Sequence, residues 1–213
     1  MRLKSLKKNS FILLICMLLT SVQVISQNTD EINAMAKKMF VDMNNRDYDA
    51  ILDMCHPKAF EFASRDQLKT VFKSAFEGNE EFSLDVPKVI PDYKISKLYK
   101  EEGLEYVFVT YDMTMKMTFH KEEFDEEGKE MMKNIMKMQE MDVEFTSNKS
   151  MSVNMKDRIT ILLKGKGTDN KWVMVNYDAN SPLVYNVLSA NVLETAKTFK
   201  QDLMLERKKE SQN

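Results

Sequence analysis

From Val107 to His120 the chain alternates in character along its length. Val107, Val109, Tyr111, Met113, Met115, Met117 and Phe119 share one parity, and Thr110, Asp112, Thr114, Lys116, Thr118 and His120 share the other. A period of two sends successive side chains to opposite faces, so this run reads as a long, half-buried antiparallel strand. Residues 93–99 and 104–119 form a predicted hairpin turning at Glu101-Glu-Gly103. Met151 to Leu163 and Lys171 to Asp178 read as two more strands, joined by the glycine-containing turn 165–170. The second half is therefore expected to be an antiparallel meander.

The first half has a different period. Ile32, Met35, Ala36, Met39, Phe40 and Met43 recur at the i, i+3, i+4, i+7 spacing of a one-faced helix that Thr29 or Asp30 can cap. Asp47 is placed to cap a shorter helix carrying Tyr48, Ile51, Leu52 and Cys55, which Pro57 ends because the residue before proline leaves helical space. A third helix carries Leu68, Val71, Phe72, Ala75 and Phe76 and stops at Gly78. Between the long strands, residues 121–142 begin acidic and then place Met131, Met132, Ile135, Met136 and Gln139 at helical spacing, which predicts a helical insertion. From Leu183 to about Lys208, Val184, Val187, Leu188, Val192, Ala196, Phe199 and Leu203 form the stripe of a long terminal helix, with Arg207-Lys-Lys209 at the end where cations suit the helix dipole. The class expected is α+β, with three N-terminal helices followed by a sheet.

Residues 1–26 predict export. Arg2, Lys4, Lys7 and Lys8 precede an apolar run from Phe11 to Leu19, the layout of a secretory signal peptide, and Val24 and Ser26 suit cleavage before Gln27. The run is shorter than the roughly 20 residues that span a bilayer, and Cys16 reads as part of it. The mature chain, 27–213, is expected to be one domain with a core over about 30–180, periplasmic or secreted. It keeps 27 Lys and Arg against 33 Asp and Glu, a net charge of −6. That balance disfavours nucleic acid and anionic membrane surfaces as partners. Cys55 is the one cysteine left, so no internal disulfide is expected.

Asn45-Arg-Asp47-Tyr-Asp-Ala-Ile-Leu-Asp-Met-Cys-His56-Pro57 resembles the short second helix of the NTF2-like, or SnoaL-like, cone superfamily. Lys171-Trp172-Val-Met-Val-Asn-Tyr177-Asp178 resembles a late strand of that family. The resemblance spans about 30–180 and implies a curved sheet that curls round the first helix to leave a cavity. The family it points to includes isomerases, hydrolases and many noncatalytic binders, and fold does not choose among them. The methionine-rich insertion and the terminal helix depart from the minimal cone.

Asp157 is the catalytic candidate. Extending the alternation of Met151, Val153, Met155, Ile159, Ile161 and Leu163 places it on an apolar face, where a carboxylate must be paired or have a raised pKa. The resemblance implies a proton-shuttling role for an aspartate in such a cavity. The other reading is that Lys156-Asp157-Arg158 marks a strand bulge or turn exposing all three charges. His56 and His120 are the two histidines. His120 is read as solvated at a strand end and His56 as satisfying a helix end.

Ten of the 18 methionines fall between Met113 and Met155. Thioethers can ligate Cu(I), but methionine also fills cores and grips apolar ligands. Tyr111, Trp172 and Tyr177 either line a cavity or pack in the sheet. The ligand-contact candidates are thus Tyr111, Met113, Met115, Trp172 and Tyr177, with no metal ligand nominated and no cofactor expected. The function expected is an exported, noncatalytic binding domain for a small apolar ligand or a protein partner, with homodimerisation through the terminal helix or open sheet. The alternatives are a cofactor-independent isomerase or hydrolase using Asp157 with Tyr111 or Tyr177, and a Cu(I)-binding protein.

Overall fold

A computed structural model describes residues 29–210. The expected signal segment and its cleavage site lie outside them. Seven helices and a seven-stranded, open antiparallel sheet are present among the described residues, so the class is α+β. Helix α1 covers 29–45 and buries Ile32, Ala36, Met39 and Phe40 along one stripe. It ends at Arg46, which takes φ +58. Helix α2, Tyr48–Asp53, starts where the Asp47 carboxylate accepts from the Ala50 N–H, satisfying a donor that has no intrahelical partner. A short α3, Ala59–Phe62, follows Pro57, and α4, Arg65–Glu77, opens on a capping box in which Ser64 and Gln67 accept from each other's main chain. The fourth helix in this half is α3, whose four residues are too few to show a period.

Two strands carry the sheet. β4, Leu104–Phe119, and β6, Ser150–Lys164, pair from Glu105↔Lys164 to Thr118↔Ser150. Along the outer edge of β4 lie β1 (Phe82–Asp85), β2 (Tyr93–Ile95) and β3 (Tyr99–Glu101) in turn. Along the outer edge of β6 lie β5 (Met141–Phe145) and β7 (Val173–Tyr177). Three expectations are corrected. The expected first strand, 93–99, is two, β2 and β3, with β1 before them. The insertion is helix α5 (Glu126–Met138) followed by β5. The terminal helix is two, α6 (Pro182–Val187) and α7 (Ala190–Glu210), because Leu188 is extended and Ser189 Oγ accepts from the Val192 N–H to start α7.

The alternation of β6 does not run through. At Lys156-Asp157 two residues oppose one, Asp112, and Asp157 takes φ +51. This bulge reverses the parity of the strand. Met151, Val153 and Met155 face α1 and α2, while Ile159, Ile161 and Leu163 face α6 and α7. The single apolar face predicted for 151–163 is thus two faces with separate cores. On the α7 side Phe108 is fully buried, stacked on Phe199 at 4.6 Å and tilted against Tyr99 at 5.2 Å. Beyond the bulge the sheet is covered on one side only. There Thr114 Oγ1 donates to Asn154 Oδ1, and Thr118 and Ser150 hydroxyls pair at 3.0 Å on the polar face.

His56 is buried, its main-chain N–H donates to the Met174 carbonyl, and its Nδ1 accepts from the Lys58 N–H. Burial, aided by Lys58, holds its pKa below the ordinary 6.5. In the window below pH 6.5 the unfolded chain protonates and the folded chain does not, so stability falls as pH drops. We expect His56→Gln to flatten that dependence in urea titrations between pH 7 and the acid limb.

Candidate functional site

The site is built around the bulge. The Asp157 main-chain N–H donates to Asp112 Oδ1 at 2.9 Å, which closes the strand distortion from the opposite side. Arg207, in the last turn of α7, then reaches both carboxylates. Its Nε and Nη2 donate to the two Asp157 oxygens at 2.8 and 2.7 Å, and Nη2 also meets Asp112 Oδ1 at 2.9 Å. A planar guanidinium suits this two-carboxylate fork where a lysine ammonium does not. Hydrogen bonds to Asp157, then those to Asp112, hold the Arg207 pKa above its ordinary value against the opposing effect of burial. The Asp157 side chain is 15% exposed and that of Asp112 53%. Asp157 is therefore neither stranded in an apolar core nor solvated; it is paired. Removing the guanidinium in Arg207→Met is expected to cost about 1–2 kcal/mol in urea unfolding and to speed amide exchange at the end of α7. Arg207→Lys should restore only part of both.

Beside this ion cluster is an open cavity of about 500 Å³. Phe40 and Met43 of α1 and Phe76 of α4 form one wall, Tyr111 and Met113 of β4 the floor, and Leu203 of α7 a corner. The outer wall is the 86–92 loop, through Val86, Pro87, Val89 and Pro91. Aromatic packing keeps the floor rigid, with Phe40 set edge-on to Tyr111 at 4.9 Å and tilted on Tyr93 at 5.0 Å. Arg46 is held in place: its guanidinium donates to the Met43 and Val86 carbonyls and lies over the Phe76 ring at 5.2 Å. At the bulge two carboxylates share one guanidinium, a net charge of −1; Arg46, Asp92 and Lys94 also line the cavity, and the rest of its surface is mainly apolar.

The structure brings Tyr111, Met113 and Asp157 together at this cavity and sets the other candidates elsewhere. Met115 is buried in the core between the sheet and α1. Trp172 lies at the start of β7, where its Nε1 donates to Glu31 and Lys164 sits 5.8 Å over the ring, tying α1 to the sheet. Tyr177 is buried on the opposite face of the sheet, against α6 and α7, and burial raises its pKa. The thioethers divide between two environments, Met132 and Met136 against the core and Met131 and Met138 exposed. His120 Nδ1 lies 3.2 Å from the Glu80 carbonyl at the surface. Cys55 is a thiol whose pKa burial pushes to about 11, outside the range of a reactive cysteine.

Sequence reasoning missed Arg207 and the 86–92 wall. Arg207 lies 50 residues from Asp157, and its helical position gave a sufficient local account through the dipole. Pro87 and Pro91, two of the four prolines in the chain, were the readable signal for a segment unable to join a ladder. No family model, curated protein or solved structure matches the chain.

Proposed function

We propose that this chain is an exported, noncatalytic binding domain of the NTF2-like kind, which takes a small apolar ligand or an apolar protein segment in the cavity beside α1. The observation that carries the reading is the pairing of Arg207 with Asp112 and Asp157 at the rim of a largely apolar cavity. The Arg207 guanidinium is taken up by two carboxylates, so that cluster offers an anionic substrate no free cation. A general base needs a free carboxylate lone pair aimed at substrate, whereas both Asp157 oxygens accept from Arg207. Apolar walls with a few convergent polar groups are the usual make-up of a ligand pocket. The helices-then-sheet order and the placement of α1 across one sheet face support the NTF2-like assignment.

The test uses N-phenyl-1-naphthylamine, whose fluorescence rises in apolar surroundings. We expect wild type to bind it and Met113→Trp, which fills the floor of the cavity, to raise its Kd at least tenfold, about 1.4 kcal/mol. Thermal unfolding of the variant checks that it is folded. Failure of wild type to bind the probe would overturn the reading, as would a turnover activity that disappears in Asp157→Ala.

A further inference from the structure

The floor of the cavity is also a gap in the sheet. β1 pairs with β4 over Lys116–Phe119 and β2 pairs over Val109–Tyr111, so residues 112–115 of β4 have no strand partner on that edge among the described residues. The chain between them, 86–92, does not fill the gap. Pro87 and Pro91 have no N–H to give to a ladder, and no main-chain hydrogen bond joins this loop to β4 among the described residues. The loop bows outward instead and forms the far wall of the cavity.

Main-chain direction follows from the ladder. The Phe108 carbonyl accepts from the Ser96 N–H on the outer edge, and the Phe119 N–H donates across to Lys149 on the β6 side. Alternation between these fixed points turns the N–H and C=O groups of Asp112 and Thr114 toward the gap. Each of the two residues therefore offers one donor and one acceptor to the cavity. A hydrocarbon uses none of these groups, while an extended chain lying antiparallel to β4 uses all of them. Four residues at 3.3–3.4 Å each make a slot about 13 Å long.

Resting on the binding reading above, we infer that the occupant of this cavity is an extended peptide segment of about four residues, added as a strand between β1 and β2. Its main chain pairs with Asp112 and Thr114, and its alternate side chains meet Tyr111, Met113 and the Val89 wall. The Arg207 cluster closes one end with two carboxylates on one guanidinium, a net charge of −1 that turns away a peptide carboxylate, which favours an internal segment of a partner over a free C-terminus.

The experiment uses the blocked peptide Ac-Val-Thr-Val-Thr-NH2, two versions N-methylated at alternate residues, and N-phenyl-1-naphthylamine. Titrations are followed by ¹H–¹⁵N spectra of the full chain. In strand addition one methylation pattern blocks the amides that face β4 and the other blocks those that face away. We expect the parent peptide to shift the Asp112 and Thr114 amides, slow their exchange and displace the naphthylamine. One methylated pattern should bind at least tenfold more weakly and the other within about threefold of the parent. Equal binding by both patterns overturns the strand-addition inference. Binding of the naphthylamine with none of the peptides overturns this inference and leaves the apolar-cavity reading standing. Binding of neither overturns both.

Discussion

Replacing Phe108 by alanine lowers the unfolding free energy by about 3–5 kcal/mol. The ring is fully buried on the α7 face of β4 and is the hub of an aromatic group, with Tyr99, Tyr106 and Phe199 at centroid distances of 5.2, 5.7 and 4.6 Å. Truncation loses the transfer energy of the ring and leaves a cavity whose walls are strand backbone and stacked aromatics, which cannot collapse to fill it. Domains of this size are stable by roughly 5–15 kcal/mol, so the loss is a large share of the total. Because Phe199 holds the middle of α7 to the sheet, the variant should also loosen the turn that carries Arg207. Urea unfolding with an unchanged m-value, together with faster amide exchange across α7, is the expected result. A loss below about 1 kcal/mol would mean that the helix is not docked through this group.

The sequence revealed the long elements because their apolar residues repeat often enough to declare a period. α1 and β4 were readable from one face each, and the stripe from Val184 to Leu203 was readable although the helix behind it is broken at Leu188. That break was hidden because α6 and α7 pack their apolar residues on the same core, so the stripe continues across it. β5 was hidden by its neighbour: Met141 extends the methionine pattern of α5, and five residues give too few alternations to overrule it. The charges of Lys156-Asp157-Arg158 did mark a bulge, one of the two readings open for them. The parity reversal it imposes on Ile159, Ile161 and Leu163 was not readable, since either parity buries the same residue types. What a linear reading could not supply was the third partner. Arg207 joins Asp157 and Asp112 only once α7 lies along the sheet, and its own neighbours, Lys208 and Lys209, give no reason to prefer it.

Gly78→Ala is expected to destabilise the domain by about 2–5 kcal/mol, and a second glycine separates the causes. Gly78 ends α4 with φ +85 and ψ −163, a region essentially closed to residues with a side chain. It also sits tight against the start of β1. A Cβ there would lie 2.2 Å from the Phe82 carbonyl oxygen and 2.7 Å from Ser83 Cα, both main-chain atoms that no rotamer change can move. The Asn79 N–H bond to the Phe82 carbonyl, and the Asn79 side chain that accepts from the Glu81 and Phe82 N–H groups, tie that turn together. Relief must therefore come from shifting β1 away from α4. Gly103 has φ +80 but open space around its missing Cβ, so Gly103→Ala bears the backbone cost alone, about 1 kcal/mol. The difference between the two variants in urea unfolding measures the steric part. Since the loop that follows β1 borders the cavity, Gly78→Ala should also weaken naphthylamine binding, whereas Gly103→Ala, in the hairpin turn between β3 and β4, should leave it unchanged. Equal stability losses at the two glycines would show that β1 moves freely on α4, and the cavity would then lack the fixed wall on which its binding role depends.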